Sequence, residues 1–332
     1  MTRFARFAVV ALPLVLFAAS CADNGSNNPI NPAVSESELL AQALEGSSGG
    51  YINTDAPAVV TAQQVFDDVY GARRFHLIDL RSSSDYANGH VLGAVNVKVS
   101  NLLAYIKALK KAAAYDKVVL IDETGQSAAW SCALLRSSGY GTVFSLAYGM
   151  SSWNTDFDVL TQECGSQFVN DFTVAVTSKP FAGTLPTIAT GKTTAAEILA
   201  ARVDSVFARG YSAANIDGAV VMRDPKKYFV VTYLNPIDYA ALGHIPGSVQ
   251  YTPKVDLKSS AFLKTLPKNQ TIVLFDYDGQ STANLAAVLG VMGYDARSIH
   301  NGGQTLIYQT LQGLRRPAFD ANVDTKNFPY VR

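Results

Sequence analysis

The sequence predicts an α/β fold built twice, each half a central, mostly parallel sheet flanked by helices. Two observations carry that expectation: a repeat of fixed spacing, and near-continuous apolar strands that alternate with helical segments in the same order in both halves. In the repeat, His90 of DYANGHVLGAVNV answers His244 of DYAALGHIPGSVQY, and Asp122 of VVLIDETGQSAAW answers Asp276 of IVLFDYDGQSTAN. Gly139-Tyr140 answers Gly293-Tyr294 and Gly149 answers Gly303, every pair 154 positions apart. A constant offset across separated landmarks predicts a duplicated domain with no net insertion between them. The segments FHLIDL and KVVLI, with YFVVTYL and TIVLF in the second copy, are near-continuously apolar. Strands buried on both faces and joined through helices belong to a parallel sheet covered on each side.

Taken in order, residues 1–20 read as an export signal: Arg3 and Arg6 precede an uncharged run from Phe7 to Ala19. That run is shorter than the roughly 20 apolar residues a membrane-crossing helix needs. It ends in Ala18-Ala19-Ser20-Cys21, which resembles the lipobox of bacterial lipoproteins, with Ala18 where that family prefers leucine. The resemblance implies that Cys21 becomes the lipidated first residue of the mature chain and ties it to a membrane of the cell envelope. Simple cleavage to a free periplasmic protein is the alternative. Residues 21–50 carry ADNGSNNPINP and EGSSGG, with one helical candidate at 37–44, and read as a flexible tether. The first domain is expected over 51–166, a Pro/Gly-punctuated linker containing SKPFAGTLP over 167–190, and the second domain over 191–332. A capping box opens each copy, Thr61 with Gln64 and Thr194 with Glu197.

Formal net charge is zero, so no basic field gathers nucleic acid or anionic lipid, and both are excluded as partners on that ground. Beyond Cys21 the cysteines are Cys132 and Cys164. After export they would meet an oxidising compartment, which predicts one disulfide between them; two buried reduced thiols are the alternative. No cofactor or metal is expected.

The landmarks in this order resemble the rhodanese family, in which a strand ending in Asp-x-Arg leads to an acidic-Tyr-x-x-Gly-His-Ile-x-Gly-Ala motif. A later strand there delivers the catalytic cysteine at the head of a short loop. The first copy shows Asp79-Leu80-Arg81, then Asp85-Tyr86 through Gly89-His90 to Gly93-Ala94, and closes with Gly149 and Trp153. The second shows Gly243-His244-Ile245-Pro246-Gly247-Ser248 and Gly302-Gly303, but has one extra residue before the motif and Thr232 and Leu234 in place of Asp-x-Arg. The resemblance implies that Asp79, Arg81, His90 and His244 are structural. It also implies two candidate anion-binding loops: Asp122, Glu123, Thr124, Gly125, Gln126 and Ser127, and Asp276, Tyr277, Asp278, Gly279, Gln280 and Ser281. Sulfur transfer in this family needs a thiolate that becomes a persulfide, held by the inward-facing amides of that loop. At the matching positions stand Asp122 and Asp276, and a carboxylate cannot carry sulfane sulfur. Cys132 lies ten residues downstream of Asp122, inside the following helix.

Two other motifs invite chemistry. FDYDGQS is similar to the opening of haloacid-dehalogenase-type phosphatases, but only 56 residues follow Asp276, too few for that family's later motifs; magnesium between Asp276 and Asp278 stays open. Gly191-Lys192-Thr193 looks like the end of a phosphate-binding loop, yet Pro186 stands where that loop needs its first glycine. The expected protein is an envelope lipoprotein whose two catalytically degenerate rhodanese-like domains bind an envelope protein or a small oxyanion. The alternative is a sulfurtransferase-related enzyme or carrier of thiosulfate, sulfane sulfur or other chalcogen oxyanions.

Overall fold

The chain enters through α1 (Glu36–Glu45), where Ser35 and Glu38 form a closed capping box, and α2 (Gly50–Asn53). The computed structural model describes residues 34–46, 50–72, 74–109 and 115–332. The export signal and Cys21 lie outside them, as does most of the tether. Within the part of the tether that is described, the structure corrects the expectation. Leu40 and Ala41 of α1 are buried in the core, and Glu36 accepts bonds from Thr190 N (2.7 Å) and Gly191 N (3.0 Å). The low-complexity residues on either side conceal an S-x-x-E cap followed by Leu39, Leu40 and Leu44, enough apolar surface to pin one short helix.

The first copy runs β1 (Val59–Val60), α3 (Ala62–Val69), β2 (Phe75–Asp79), α4 (Ser83–Asn88), β3 (Val95–Asn96), α5 (Val99–Ala108), β4 (Lys117–Ile121), α6 (Gln126–Ser137), β5 (Val143–Leu146) and α7 (Leu160–Glu163). The second opens with α8 (Ala195–Arg209), β6 (Asn215–Ile216), α9 (Gly218–Arg223), β7 (Phe229–Thr232) and α10 (Pro236–Ala241). It continues with β8 (Val249–Gln250), β9 (Ile272–Phe275), α11 (Gln280–Val291), β10 (Ala296–Ile299), α12 (Tyr308–Gly313) and α13 (Ala321–Asp324). Both sheets are five-stranded and parallel throughout, in the orders β1-β5-β4-β2-β3 and β6-β10-β9-β7-β8. Val118 to Ile121 and Ile272 to Phe275 are without solvent exposure, because helices cover both faces of each central strand.

The two halves correspond closely, with one correction to the repeat. Val143 pairs with Val118 and Ala296 with Ile272, so the offset has fallen to 153 by the fifth strand. One residue is missing between Tyr294 and Ala296. Gly149 therefore corresponds to Gly302 rather than Gly303: both take a left-handed φ, 54° and 58°, and a Cβ on either would strike the backbone of the Asp122 or Asp276 loop. The capping boxes also differ. Thr61 and Gln64 exchange both bonds, whereas Glu197 takes the Thr194 hydroxyl (2.7 Å) in place of the backbone amide.

The expected linker is not a free crossing. Gly165 N donates to Gln304 O (2.8 Å), and Thr173 pairs antiparallel with His244. In return the C-terminus crosses back: Phe328 N donates to Trp153 O (2.9 Å), Trp153 Nε1 to Pro329 O (3.0 Å), and Val331 pairs with His90. Each copy thus lends its C-terminal extension to the other. Helices α6 and α11 pack together across the seam, and Trp130 meets Phe207 edge-on at 5.6 Å, so one apolar core runs through both halves.

The expected disulfide is absent. Cys132 is fully buried beneath α6 with its sulfur toward Val143 O (3.4 Å), while Cys164 ends α7 on the face turned to the second copy, and both thiols are free. Burial pushes the Cys132 thiol up to about 12, which suits a core hydrophobe. The GKT string is no phosphate loop either, since the Gly191 amide is spent on Glu36.

Candidate functional site

In a parallel α/β sheet the C-terminal ends of the strands, where a loop opens into a helix N-terminus, are the places that gather anions. Asp122 stands at the end of β4 and Asp276 at the end of β9, each only 2% exposed. Gly125 and Gly279, at φ 88° and 81°, turn the loops so that successive amides face inward at the starts of α6 and α11. The side chains of the aspartates occupy those amides. Asp122 accepts from Gly125 N (2.6 Å), Ser127 N (2.8 Å), Ser127 Oγ (2.7 Å) and Ala128 N (3.1 Å). Asp276 accepts from Gly279 N (2.8 Å), Thr282 N (3.0 Å) and Thr282 Oγ1 (2.9 Å). Burial pushes the Asp122 carboxyl up, and its ring of donors pulls the other way.

The two loops also face each other. Gln126, 1% exposed, reaches across the seam: its Nε2 donates to Ile299 O (2.8 Å), Ser298 Oγ (2.9 Å) and Gly279 O (3.2 Å), and its Oε1 accepts from Asn301 N (3.0 Å). Gln280, its repeat partner, turns toward the first loop and accepts from Tyr148 N (3.4 Å). A Cβ added to Gly279 would lie 2.4 Å from the Gln126 amide nitrogen, and one on Gly125 would lie 2.7 Å from Gln280 Oε1. Each loop is therefore closed from inside by its own carboxylate and from outside by the glutamine of the other copy. Tyr211 is buried close enough to feel both aspartate charges, which together with burial raise its phenol.

The rims differ. In the second copy the Tyr277 hydroxyl donates to Asp238, which Arg316 Nε (2.6 Å) and Asn235 Nδ2 (2.8 Å) also hold, so this side is latched. In the first, Glu123 is solvent-exposed and lies beside Asp122, Asp85 and Arg81; desolvation at the loop mouth and then the Asp122 charge push its carboxyl up to about 7. Thr124 and Ser281 lie on the rims and make no side-chain bond to either aspartate. Asp278 serves the local turn, accepting from Gln280 N (3.0 Å) and Gln280 Nε2 (3.0 Å) rather than converging with Asp276. Among the described residues no group of three or more His, Cys, Asp or Glu is placed to hold a metal.

Asp79 and Arg81 form a buried fork at the end of β2: Arg81 Nη2 donates to Asp79 Oδ2 (2.7 Å) and Gly89 O (2.6 Å), and Nε lies 3.1 Å from Oδ1. In the second copy a Thr232–Ser248 hydroxyl pair (2.9 Å) takes that place. His90 stacks on Tyr86 and His244 on Tyr239, each at 3.7 Å, with Nδ1 facing the carbonyl of the same tyrosine. Both histidines hold the exchanged extensions and face away from the loops.

Burial raises Asp276 and Asp278 together, and the charge of Asp278 raises Asp276 further. The unfolded chain releases these protons near the ordinary 3.8, the folded chain at higher pH. Across that window the folded state holds more protons, so this pair's contribution to stability is full below it and is lost as pH rises. The expected result is that Asp278→Asn flattens this slope: melting temperatures of variant and wild type, compared from about pH 5 to about pH 8, converge at acid pH. Parallel profiles would contradict the raised pair.

Comparison with known proteins places the chain. The family model for the rhodanese-like domain matches twice, at residues 62–156 and 195–308, together more than half of the chain. The chain belongs to the rhodanese-like domain family. It is 31% identical over 91 residues to the thiosulfate sulfurtransferase GlpE of Pseudomonas fluorescens, covering 27% of this chain and 81% of that relative. Among solved structures, a rhodanese-related protein of Thermoplasma volcanium shares 20% identity over 29% of this chain and 89% of its own (TM-score 0.25). SseA of Escherichia coli, described as a 3-mercaptopyruvate sulfotransferase, shares 15% over 74% and 97% (TM-score 0.28).

The sequence names Gln126 and Gln280 as candidate anion-loop residues, but their reciprocal reach across the seam is what the sequence reading missed. Gln126 and Gln280 are visible as repeat partners in TGQS and DGQS, but a repeat says only that two residues are equivalent, not that the copies face each other through them.

Proposed function

We propose that this is a lipid-anchored envelope protein in which both rhodanese-like loops are catalytically silent and the paired domains serve as a binding or scaffold module. In this reading Asp122 and Asp276 stand where the family keeps its cysteine nucleophile. The observation that carries it is the double closure: the carboxylates take the amides that would hold a persulfide, and Gln126 and Gln280 cover the approach. The same closure disfavours the expectation that a free oxyanion binds within the loops, since the donors of Gly125, Ser127, Ala128, Gly279 and Thr282 are already bonded. A partner would instead meet the outer surface of the domain pair.

The test combines fractionation with calorimetry. The full chain is expected to stay in the membrane fraction through a high-salt wash that releases Cys21→Ser, and the purified protein is expected to give no binding heat with thiosulfate or selenite. Tight oxyanion binding by the wild type, strengthened in Asp122→Ala or Asp276→Ala as the loop amides are freed, would favour the second reading, a carrier of chalcogen oxyanions. Membrane association unchanged in Cys21→Ser would remove the anchor.

A further inference from the structure

The loop between β8 and β9 meets the interdomain crossing beside the point where the described chain begins. Gly183 N donates to Lys264 O (2.7 Å), Lys268 Nζ to Thr184 Oγ1 (2.7 Å), and Ser37 of α1 to Pro186 O. Ser35 and Glu38 share with this crossing an open groove of about 340 Å³. Phe181, two residues before Gly183 on the crossing, is 100% exposed, and Val255 and Phe262 of the facing loop are 55% and 44% exposed. Large apolar side chains clustered in the open mark a contact surface rather than ordinary exterior.

The charge here departs from the neutrality of the whole chain. Residues 254–268 hold Lys254, Lys258, Lys264 and Lys268 with Asp256 as their one acid. Asp256 is already bonded to Lys179 (3.1 Å), whose ammonium lies 5.0 Å from the Phe262 ring centre. None of the four lysines has an ion-pair partner among the described residues. Glu36, Glu38 and Glu45 of α1 lie nearby, bonded to Thr190, Ser35 and Ser259, neutral partners that leave their charge in place, so with Lys179 five ammonium groups stand here against four carboxylates.

We propose that this face lies on an anionic bilayer, Phe181 entering the interfacial region and the lysines meeting lipid headgroups. An exposed aromatic at a loop tip beside unpaired cations is the chemistry that partitions to such a surface. The position of the chain agrees: residues 22–33 separate Cys21 from Val34, a reach of at most roughly 45 Å. The inference rests on the envelope reading only in that a bilayer lies within that reach. No membrane-crossing helix is involved, as none among the described residues is long and apolar enough.

The experiment uses the mature chain with Cys21→Ser, so that no lipid is attached, sedimented with phosphatidylglycerol or phosphatidylcholine vesicles. Binding is expected to the former, weakening with salt. Phe181→Ser, and separately the Lys254→Gln/Lys258→Gln/Lys264→Gln variant, are expected to lower it about tenfold or more. Ile237→Ser, altering a side chain 75% exposed elsewhere, is expected to leave it unchanged. Phe181, Lys254 and Ile237 are exposed while Lys258 and Lys264 are half-buried, and circular dichroism checks that each variant is folded. Absence of vesicle binding, or equal binding by all variants, overturns the proposal. Acylation of Cys21 is read separately by mass spectrometry on the native protein, so the anchor and the docking face can fail independently.

Discussion

Arg81→Leu is expected to destabilise the protein by about 3–5 kcal/mol, because it strands the Asp79 carboxylate in the core. The side chains of the pair are 3% and 0% exposed, and Asp79 receives both the Arg81 side chain and its amide. The second copy shows how the fold manages without the pair: it places Leu234 at the arginine position and a Thr232–Ser248 hydroxyl pair in the space. Transplanting that arrangement as Asp79→Thr/Ala94→Ser/Arg81→Leu should recover stability to within about 1–2 kcal/mol of wild type. Denaturant midpoints of the two variants decide it. A triple variant no better than the single one would mean that the cost of Arg81→Leu is lost packing rather than an uncompensated charge.

Gln126→Ala should cost about 2–4 kcal/mol, several times more than Gln280→Ala. The asymmetry follows from bonding. Gln126 makes four bonds into the second copy, and its removal orphans the buried Asn301 amide, a loss of roughly 1–3 kcal/mol, and leaves the Ile299 carbonyl with the longer Ser298 hydroxyl contact (3.3 Å). Gln280 crosses the seam with one long contact to Tyr148 N and otherwise serves Asp278 in its own loop. Thermal melts of the two variants measure the difference directly. Equal losses would show that the seam is held by packing of α6 on α11 and that the glutamines merely fill space.

Much of the fold was legible before any coordinates because two independent periodicities agreed. Fully apolar strands such as KVVLI and TIVLF can be satisfied only inside a covered parallel sheet, and the repeat fixed their equivalence. The histidine and Asp-x-Arg motifs were legible as landmarks, and in the fold Asp79 and Arg81 bond each other while the histidines bond the exchanged extensions. Three things were not readable. The burial of the helix at Glu36–Glu45 is the first: a helix was expected at 37–44, but its docking depends on a surface that the rest of the chain supplies. The free thiols of Cys132 and Cys164 follow from the layer each occupies, which spacing along the chain does not encode. The one-residue deletion after Tyr294 left the Gly-Gly spelling misaligned, because spelling tracks identity while the left-handed turn tracks position.

The closed loops also explain why opposite surfaces of the molecule invite different expectations. The ends of β4 and β9, where a parallel sheet ordinarily opens to a ligand, are turned inward and spent on one another. What the protein offers outward is the exchanged extensions, the Glu123 rim and the lysine-bordered face beside α1.

Catalytic silence of both loops is read out by exposing the purified mature chain to thiosulfate and cyanide while following thiocyanate release and intact mass together. Wild type is expected to release no thiocyanate above the protein-free rate and to gain no sulfur atom. Turnover accompanied by a mass increase of one sulfur, on either copy, would contradict it.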